Sequence, residues 1–432
     1  MGGNGEALAA IRLFRRVQRA LRMEPEELHR AQGRLLSEVV QSALRTEPYR
    51  RLHRSRTPPD LRSPEDVARL PFTDRAWLAE WPLEARLASR PEQMVRWPTS
   101  GTSGRPMDTA VSLEEQRFAD ALFGRQIHAL GLPREARIML AALEHAREQT
   151  NLFVRGRNTS VLTPASAETL AEQVRSAGPI VLVGYPSVLL EMADVLAHHP
   201  VEGVLTFGEV VNEPTRRELE AAFAVTPNDL YASAEGRWIS WACPSGSGYH
   251  VNADAVIVEI VGEDGHSVAV GEIGEVVVTN LWNRTTPFVR YRTGDLAALL
   301  PGRCPCGVAF PLMGQVRGRT IDWIVTRDGR RLSAWRFTLV DPAIGDWAGA
   351  ARQYRVIQRD VDDFLVEVRW RHERRDDLAE RIEPLYSSML GHRVNVHVVD
   401  VEELTRSGSG KIRVVESRVG LAQPTGLQQS HG

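Results

Sequence analysis

Apolar residues in the first fifty positions recur every three or four places. Leu28, Leu35, Leu36, Val39 and Val40 share one side of a helix, which predicts helices over residues 6–47. Between residues 113 and 235 the pattern becomes an alternation of short apolar runs and amphipathic stretches. "ARIMLAAL" (136–143), "PIVLVG" (179–184), "VEGVLTFG" (201–208) and "NDLYASAE" (228–235) read as strands, the last running into a turn. Residues 114–130, 166–177, 186–199 and 213–224 read as helices. Strand and helix taking turns predicts a mostly parallel sheet covered by helices. Ligands of such sheets gather at the carboxyl ends of the strands, where "TFGE" and "YASAE" fall. Residues 254–281 change to strand, turn, strand, which predicts an antiparallel sub-sheet. In the last hundred residues "YRVIQRD", "DFLVEVRW", a helix over 375–390 and "RVNVHVVD" predict a small α+β domain. The expected fold is therefore α/β in two parts. A large N-terminal domain (1–318) has mostly parallel sheets covered by helices plus the antiparallel sub-sheet. A small α+β C-terminal domain (319–432) follows, with a disordered tail from about 420.

Composition narrows the function. With 432 residues, 43% hydrophobic and 25% charged, the chain is an ordinary globular protein long enough for several cores. A net charge of −2 gives no global field for nucleic acid or an acidic membrane surface. No run of some 20 apolar residues spans a bilayer. The opening "MGGNGEALAAIRLFRRVQRALR" spreads its charges throughout, so no secretory signal is expected and the protein is read as cytoplasmic. One feature is unusual. Of 53 Lys and Arg residues a single one, Lys411, is lysine. Compositional drift accounts for the arginines. It leaves the exception to be explained, because arginine cannot stand in where a slim ammonium must reach a buried anion. A surviving surface residue on the Gly/Ser-rich "RSGSGKIRV" is the bland alternative.

The most distinctive local chemistry is "WPTSGTSGRP" (97–106), four hydroxyl side chains among two glycines. It lacks the Gly-Lys-Ser/Thr ending of a P-loop. Backbone N–H groups freed by glycine and helped by hydroxyls still suit a polyphosphate, although a plain linker reads the same. Five more motifs follow in order: "FGE" (207–209), "YASAE" (231–235), "RYRTGD" (290–295), "GRTID" (318–322) and "SGSGK" (407–411). Each alone fits an ordinary turn, helix start or core strand. Together, over about residues 95 to 415, they resemble the superfamily of acyl- and aryl-coenzyme A ligases, carrier-protein adenylation domains and luciferases. The chain is most similar to its phenylacetate–coenzyme A ligase branch, which keeps "RYRTGD" and places a Cys-x-Cys-Gly after it, as "CPCG" does here.

That resemblance implies a two-step reaction: a carboxylic acid attacks the α-phosphate of ATP, giving an acyl-adenylate and pyrophosphate, and a nucleophile then takes the acyl group. It implies that the C-terminal domain is mobile, and it implies roles too. Thr99, Ser100, Gly101, Thr102, Ser103 and Gly104 would hold the β- and γ-phosphates through charge-assisted hydrogen bonds. Gly208 and Glu209 would line the adenine edge and Tyr231 offer it a ring face. Asp295 would accept from the ribose hydroxyls, reinforced by Arg319. Glu235 would bind Mg2+, a hard cation that takes oxygen ligands. Lys411 would bridge carboxylate and α-phosphate and stabilise the transition state. The acceptor would be coenzyme A, with carrier-protein phosphopantetheine or an amine as alternatives. A non-catalytic nucleotide-binding regulator is a further alternative, opposed by the presence of Lys411, Glu235 and Asp295.

The chain departs from the branch in places. Ala232 and Ala234 replace a Gly and a Thr of the Tyr–Glu motif, and Ile321 takes the place of the first of two acids, Asp322 holding the second. The branch's Gly- and Tyr-rich pocket loop is replaced by residues 143–158, where His145, Arg147 and Glu148 point either to an aryl or small acid more polar than phenylacetate or to a solvated helix face. Three cysteines are too few for a disulfide framework. Cys243, His250, Cys304 and Cys306 instead form a Cys…His…Cys-x-Cys set that suits a closed, structural zinc site, against the alternative of small buried thiols.

Overall fold

The structure is a computed structural model. It describes residues 3–53, 59–98, 107–132, 137–141, 159–162, 179–196, 199–211, 213–262, 264–317, 323–333, 337, 351–370, 374, 376–405 and 414–419. The chain divides into two compact units, the larger built chiefly from Met1–Val211 and Leu219–Arg317, the smaller chiefly from Gly318–Ser407. The expected helix at 166–177 and the tail lie outside the described residues.

In the larger unit three helices come first, α1 (Gly3–Ala20), α2 (Pro25–Ala43) and α3 (Glu47–His53). On α2 the periodic Leu28, Leu36, Val39 and Val40 are buried and Leu35 sits half-buried on the flank. Two short helices follow, α4 (Arg75–Ala79), capped by Asp74 accepting from the Trp77 N–H at 2.8 Å, and α5 (Leu83–Arg86). Strands β1 (Met94–Pro98) and β2 (Asp108–Ser112) pair antiparallel with Pro98 opposite Asp108. Helix α6 (Leu113–Ala129) starts at once from a capping box of Ser112 and Glu115.

Five strands form the parallel half of the main sheet: β3 (Arg137–Ala141), β4 (Thr159–Leu162), β5 (Ile180–Gly184), β6 (Val201–Phe207) and β7 (Asn228–Ser233), in spatial order β4-β3-β5-β6-β7. The stretch expected as one helix after β5 is two, α7 (Pro186–Glu191) and α8 (Ala193–Leu196). They part at Met192, whose N–H is shared between the Val188 and Leu189 carbonyls. Helix α9 (Glu213–Phe223) follows β6 as expected. Beyond β7 the sheet turns antiparallel through β8 (Arg237–Ala242) and β9 (Tyr249–Val251), which the periodicity did not reveal. β8 is buried along five of its six positions, so no in-out alternation marks it. The antiparallel sub-sheet comprises β10 (Val256–Val261), β11 (Gly274–Asn280) and a third strand missed in the sequence, β12 (Tyr291–Ala297). Two short strands, β13 (Leu299–Leu300) and β14 (Leu312–Met313), complete the nine-stranded sheet beside β9.

Arg125 of α6 is fully buried and forks onto Asp254, Nη1 to Oδ2 at 2.7 Å and Nη2 to Oδ1 at 2.9 Å. It also donates to the Val17 carbonyl and to Asn252. The planar guanidinium thus ties α1, α6 and the approach to β10 together.

The smaller unit has the hairpin β15 (Trp323–Val325) and β16 (Arg331–Ser333), then β17 (Ala351–Asp360), β18 (Asp363–Trp370), helix α10 (Leu378–Leu390), β19 (Asn395–Asp400) and β20 (Val415–Ser417). Its four-stranded sheet runs β19-β18-β17-β20, with an antiparallel centre and parallel edges. Phe364 and Tyr386 pack edge-on at 5.2 Å in its core, and Tyr386 donates its hydroxyl to the Phe337 carbonyl. The three strands and the helix expected for this part of the chain are present as β17, β18, α10 and β19, whereas the hairpin β15–β16 and strand β20 were not foreseen.

Asp229 links three strands of the main sheet. Its Oδ1 accepts from Thr206 of β6 at 2.8 Å and its Oδ2 from Tyr249 of β9 at 2.9 Å. Burial raises its carboxyl from the ordinary 3.8 to about 7, against the opposing pull of these bonds. The folded protein then holds a proton that the unfolded chain has already released. Stability from this group is full below about 4 and is lost as the pH climbs towards 7. Melting temperatures between pH 4 and 7.5 should therefore fall less steeply for Asp229→Asn than for the parent. Parallel curves would show that Asp229 is ionised throughout.

Candidate active site

Strand β7 ends at Ser233 and turns through Ala234 and Gly236 into β8, which sets Glu235 in the turn, 7% exposed. Strand β12 carries Tyr291, Thr293 and Asp295, and its register against β11 shifts between Arg292 and Leu296. Gly294 between them has φ of +76°, a conformation that a side chain would resist, and this is the physical need behind the glycine of "RYRTGD".

The two segments are joined by a reciprocal pair of hydrogen bonds. Tyr231 of β7 donates to Oδ2 of Asp295 on β12 at 2.7 Å. Tyr291 of β12 donates to Oε1 of Glu235 after β7 at 2.8 Å. Thr293 steadies the first pair, its Oγ1 accepting from the Asp295 N–H at 3.0 Å and donating to the Val276 carbonyl at 2.7 Å. Asn280 of β11 holds the backbone carbonyl of Glu235 at 3.0 Å. Of the residues expected at the site, the structure thus brings Tyr231, Asp295 and Glu235 together.

Two partners of Glu235 were missed in the sequence. Tyr291 was quoted within its motif without a role; its place in the motif of Asp295 was the available signal. Arg75, far away in the chain, carried none. Thr73 is stitched beside Tyr291, its N–H donating to the Arg290 carbonyl at 2.9 Å and its carbonyl accepting from the Arg292 N–H at 2.8 Å. That seam delivers Arg75, the first residue of α4, to 4.0 Å from Glu235 Oε1. A magnesium ion at Glu235 would share its carboxylate with these two groups. A single protein oxygen fits that ion, which completes its octahedron with water and substrate phosphate.

Gly208 and Glu209 follow β6. Gly208 turns the chain with φ of +78°, and Glu209 is held by Ser187 at the start of α7, accepting from its N–H at 3.0 Å and its hydroxyl at 2.9 Å. Both are half-buried beyond the carboxyl end of a parallel strand, as the "TFGE" reading required. Thr99, Ser100, Gly101, Thr102, Ser103 and Gly104, with Arg319 and Lys411, lie outside the described residues. So do His145, Arg147, Glu148, Ile321 and Asp322.

The cysteine and histidine set also converges. Cys243 follows β8, His250 lies in β9 opposite Trp241, and Cys304 and Cys306 precede β14. Their ligand atoms all lie within 4.8 Å of one another, with Cys243 and Cys304 sulfurs 3.4 Å apart and His250 Nε2 3.2 Å from Cys306 Sγ. Two sulfurs on one tetrahedral zinc would stand about 3.8 Å apart, so little movement is needed to close the site. Burial holds His250 below its usual range, favouring the neutral ring that binds metals. Burial raises the Cys304 thiol, but the Ser247 and Ser245 hydroxyls and the Cys306 N–H outweigh it, and the net shift is downward. Its neighbour Cys306 is pushed the other way, to about 12, by burial and by the Cys304 and Cys243 thiols, so the convergence of three sulfurs and an imidazole, more than their titration, is what fits zinc.

No family model matches the chain. It is 27% identical over 337 residues to the phenylacetate-coenzyme A ligase of Thermus thermophilus, covering 70% of this chain and 72% of that one. It is 26% identical over 395 residues to the phenylacetate-coenzyme A ligase of Escherichia coli, covering 84% and 87%. Among solved structures, 2-hydroxyisobutyryl-CoA ligase in the postadenylation state superposes with a TM-score of 0.78 at 20% identity over 92% of this chain and 91% of that one. The fold is that of the adenylate-forming ligases. Within that class the sequence resembles the phenylacetate–coenzyme A ligases.

The Tyr291–Glu235 bond is a buried charge-assisted pair and should be visible in stability. Tyr291→Phe is expected to lower unfolding free energy by about 1.5–3 kcal/mol, the scale of such a bond. In a double-mutant cycle with Glu235→Gln the two losses should fall short of additivity by about 1 kcal/mol. Strict additivity in urea titrations would mean the pair is not coupled.

Proposed function

We propose that the chain is an AMP-forming acid–thiol ligase that joins a carboxylic acid to ATP, releases pyrophosphate and passes the acyl group to coenzyme A. The observation that carries this reading is the reciprocal tyrosine–carboxylate pair between β7 and β12, which brings together Asp295, the Tyr231 ring and Glu235, the residues that would meet the ribose, the adenine and the metal. Relatives with this activity, and a fold-mate solved with an acyl-adenylate, support it. Residues 1–318 would serve as the nucleotide and acid domain, and the lysine loop belongs to the C-terminal part of the chain, residues 319–432.

In this reading Asp295 receives the ribose hydroxyls, Gly208 and Glu209 meet the adenine edge, and Thr99–Gly104 hold the outer phosphates. Glu235 would hold a magnesium ion, which would supply charge neutralisation at the phosphates. Arg75 adds a second positive group on the same side. Lys411 bridges the incoming carboxylate and the α-phosphate, offsetting their repulsion as the pentavalent centre forms. Its ammonium is the one group that the chain's arginines do not replace. The acceptor is a thiol, coenzyme A in preference to a carrier-protein phosphopantetheine, because the sequence relatives are coenzyme A ligases. The scarcity of cysteine and the use of ATP support a cytoplasmic location; among the described residues no helix is long and apolar enough to cross a membrane.

Pyrophosphate release, measured with ATP and magnesium over a panel of carboxylic acids, tests the reaction. At least one acid should stimulate release, and coenzyme A should convert the adenylate to a thioester; no stimulation by any acid would overturn the reading in favour of a nucleotide-binding regulator. Lys411→Ala should slow adenylation by roughly a hundredfold or more, the scale for one transition-state contact, while ATP affinity barely changes. Given a prepared acyl-adenylate, that variant should still form thioester. Equal loss in both half-reactions would place Lys411 elsewhere.

Zinc at Cys243, His250, Cys304 and Cys306 is the second part of the proposal. Four protein ligands would leave no open position, so these residues would hold the ion as a staple between loops and not as a site that activates water. Protein purified without chelators should carry about one zinc per chain. Cys304→Ser should lower both zinc content and melting temperature with a smaller effect on ATP affinity. Metal-free protein of unchanged stability would remove the ion.

A further inference from the structure

Arg290, the residue before β12, has φ of +47°, in the left-handed region that a side chain resists. A non-glycine residue stays there only where its surroundings over-determine it, and such strain gathers at functional sites. Here the surroundings are plain. The Arg290 N–H donates to Oγ1 of Thr279 at 2.9 Å, and its carbonyl accepts from the Thr73 N–H at 2.9 Å. Its side chain is buried, with Nη2 standing 3.1 Å from Oε1 of Glu259.

The rest of the guanidinium grips a distant segment. Nη1 donates to the Ala68 carbonyl at 2.9 Å and to the Leu70 carbonyl at 2.6 Å, and the central carbon lies over the Phe72 ring, 3.9 Å from its centroid. With the Thr73 bond, one residue thus holds positions 68, 70, 72 and 73. Arg75 begins α4 two residues further on, and its Nη1 stands 4.0 Å from Oε1 of Glu235. Tyr291, the next residue after Arg290, donates to that same Oε1. Two routes therefore leave Arg290, one along the backbone and one through its side chain, and both end on a single carboxylate oxygen. A staple serving stability alone has no need to converge in this way.

Resting on the ligase reading above, we infer that Arg290 is a positioning residue for adenylation: its side chain fixes residues 68–73 so that Arg75 stands at the Glu235 carboxylate when the phosphates arrive. The planar fork suits this task, because it bonds a carboxylate and two carbonyls at once. Lysine in its place keeps a charge beside Glu259 but has one nitrogen for all these acceptors, and so lets go of residues 68 and 70. Its backbone route to Tyr291 is unaltered. Arg75 then loses its fixed relation to Glu235, and a displacement of about 1 Å in a positioned group can cost on the order of a hundredfold in rate.

The test is acid-dependent pyrophosphate release with ATP, magnesium and the best acid of a panel, read as kcat and as KM for ATP. Four proteins are compared: the parent, Arg290→Lys, Arg75→Ala and the double variant. Each single variant should lower kcat by about tenfold or more, the scale of a misplaced group. The double variant should be slower than Arg75→Ala by no more than about twofold, because Arg290 acts through Arg75. Phe72→Leu removes the ring beneath the guanidinium and leaves the Glu259 pair intact. It should show the same dependence on Arg75, and it takes the place of Arg290→Lys should that variant not fold. Losses that multiply in the double variant would make Arg290 a staple of the fold alone and overturn the inference. A loss confined to KM, a fully active Arg75→Ala, or Arg290 and Phe72 variants that only melt lower would overturn it too. Absence of release by the parent with every acid would instead strike the ligase reading itself.

Discussion

Two tyrosine hydroxyls hold this site together. Each of the strands β7 and β12 brings one tyrosine and one acid, or hands the acid to the turn that follows it, and each tyrosine reaches across to the other segment's carboxylate. The nine-stranded sheet and the antiparallel sub-sheet are thereby locked at the place where the chemistry is proposed. The bonds also fix the acids. A carboxylate accepting a short hydrogen bond from a rigid ring keeps one rotamer, so Asp295 and Glu235 are oriented before any ligand arrives. The seam of Thr73 with Tyr291 extends the same lock to Arg75 on an otherwise separate part of the chain.

Much of this architecture was legible. The parallel strands announced themselves because they are short, apolar and separated by amphipathic helices, and the C-terminal elements because their alternation is clean. β8 was hidden for the opposite reason: buried on both faces, "RWISWA" carries an arginine and a serine inside and no period of two. β12 was hidden because its polar residues, Arg292, Thr293 and Asp295, read as a loop; Glu275 pairs with Arg292 and makes that polarity compatible with a strand.

At the site, the motif residues were readable one by one, whereas their partners were not. Only its place in the motif of Asp295 marks Tyr291, and nothing at all marks Arg75, since its approach depends on a backbone seam between residues far apart in sequence. The cysteine set was readable because thiols are scarce here and zinc ligands come in fours.

The near absence of lysine has a consequence for how this chain can change. At the surface, arginine and lysine trade freely, and there the composition is reversible. Inside, it has become committed. Arg125 spans Asp254, Asn252 and the Val17 carbonyl with one planar fork, and Arg290 reaches Glu259 and the carbonyls of Ala68 and Leu70. A lysine at either position offers a single nitrogen and strands the remaining acceptors. Exchange to lysine is therefore open on the outside of this protein and costly at these two interior positions.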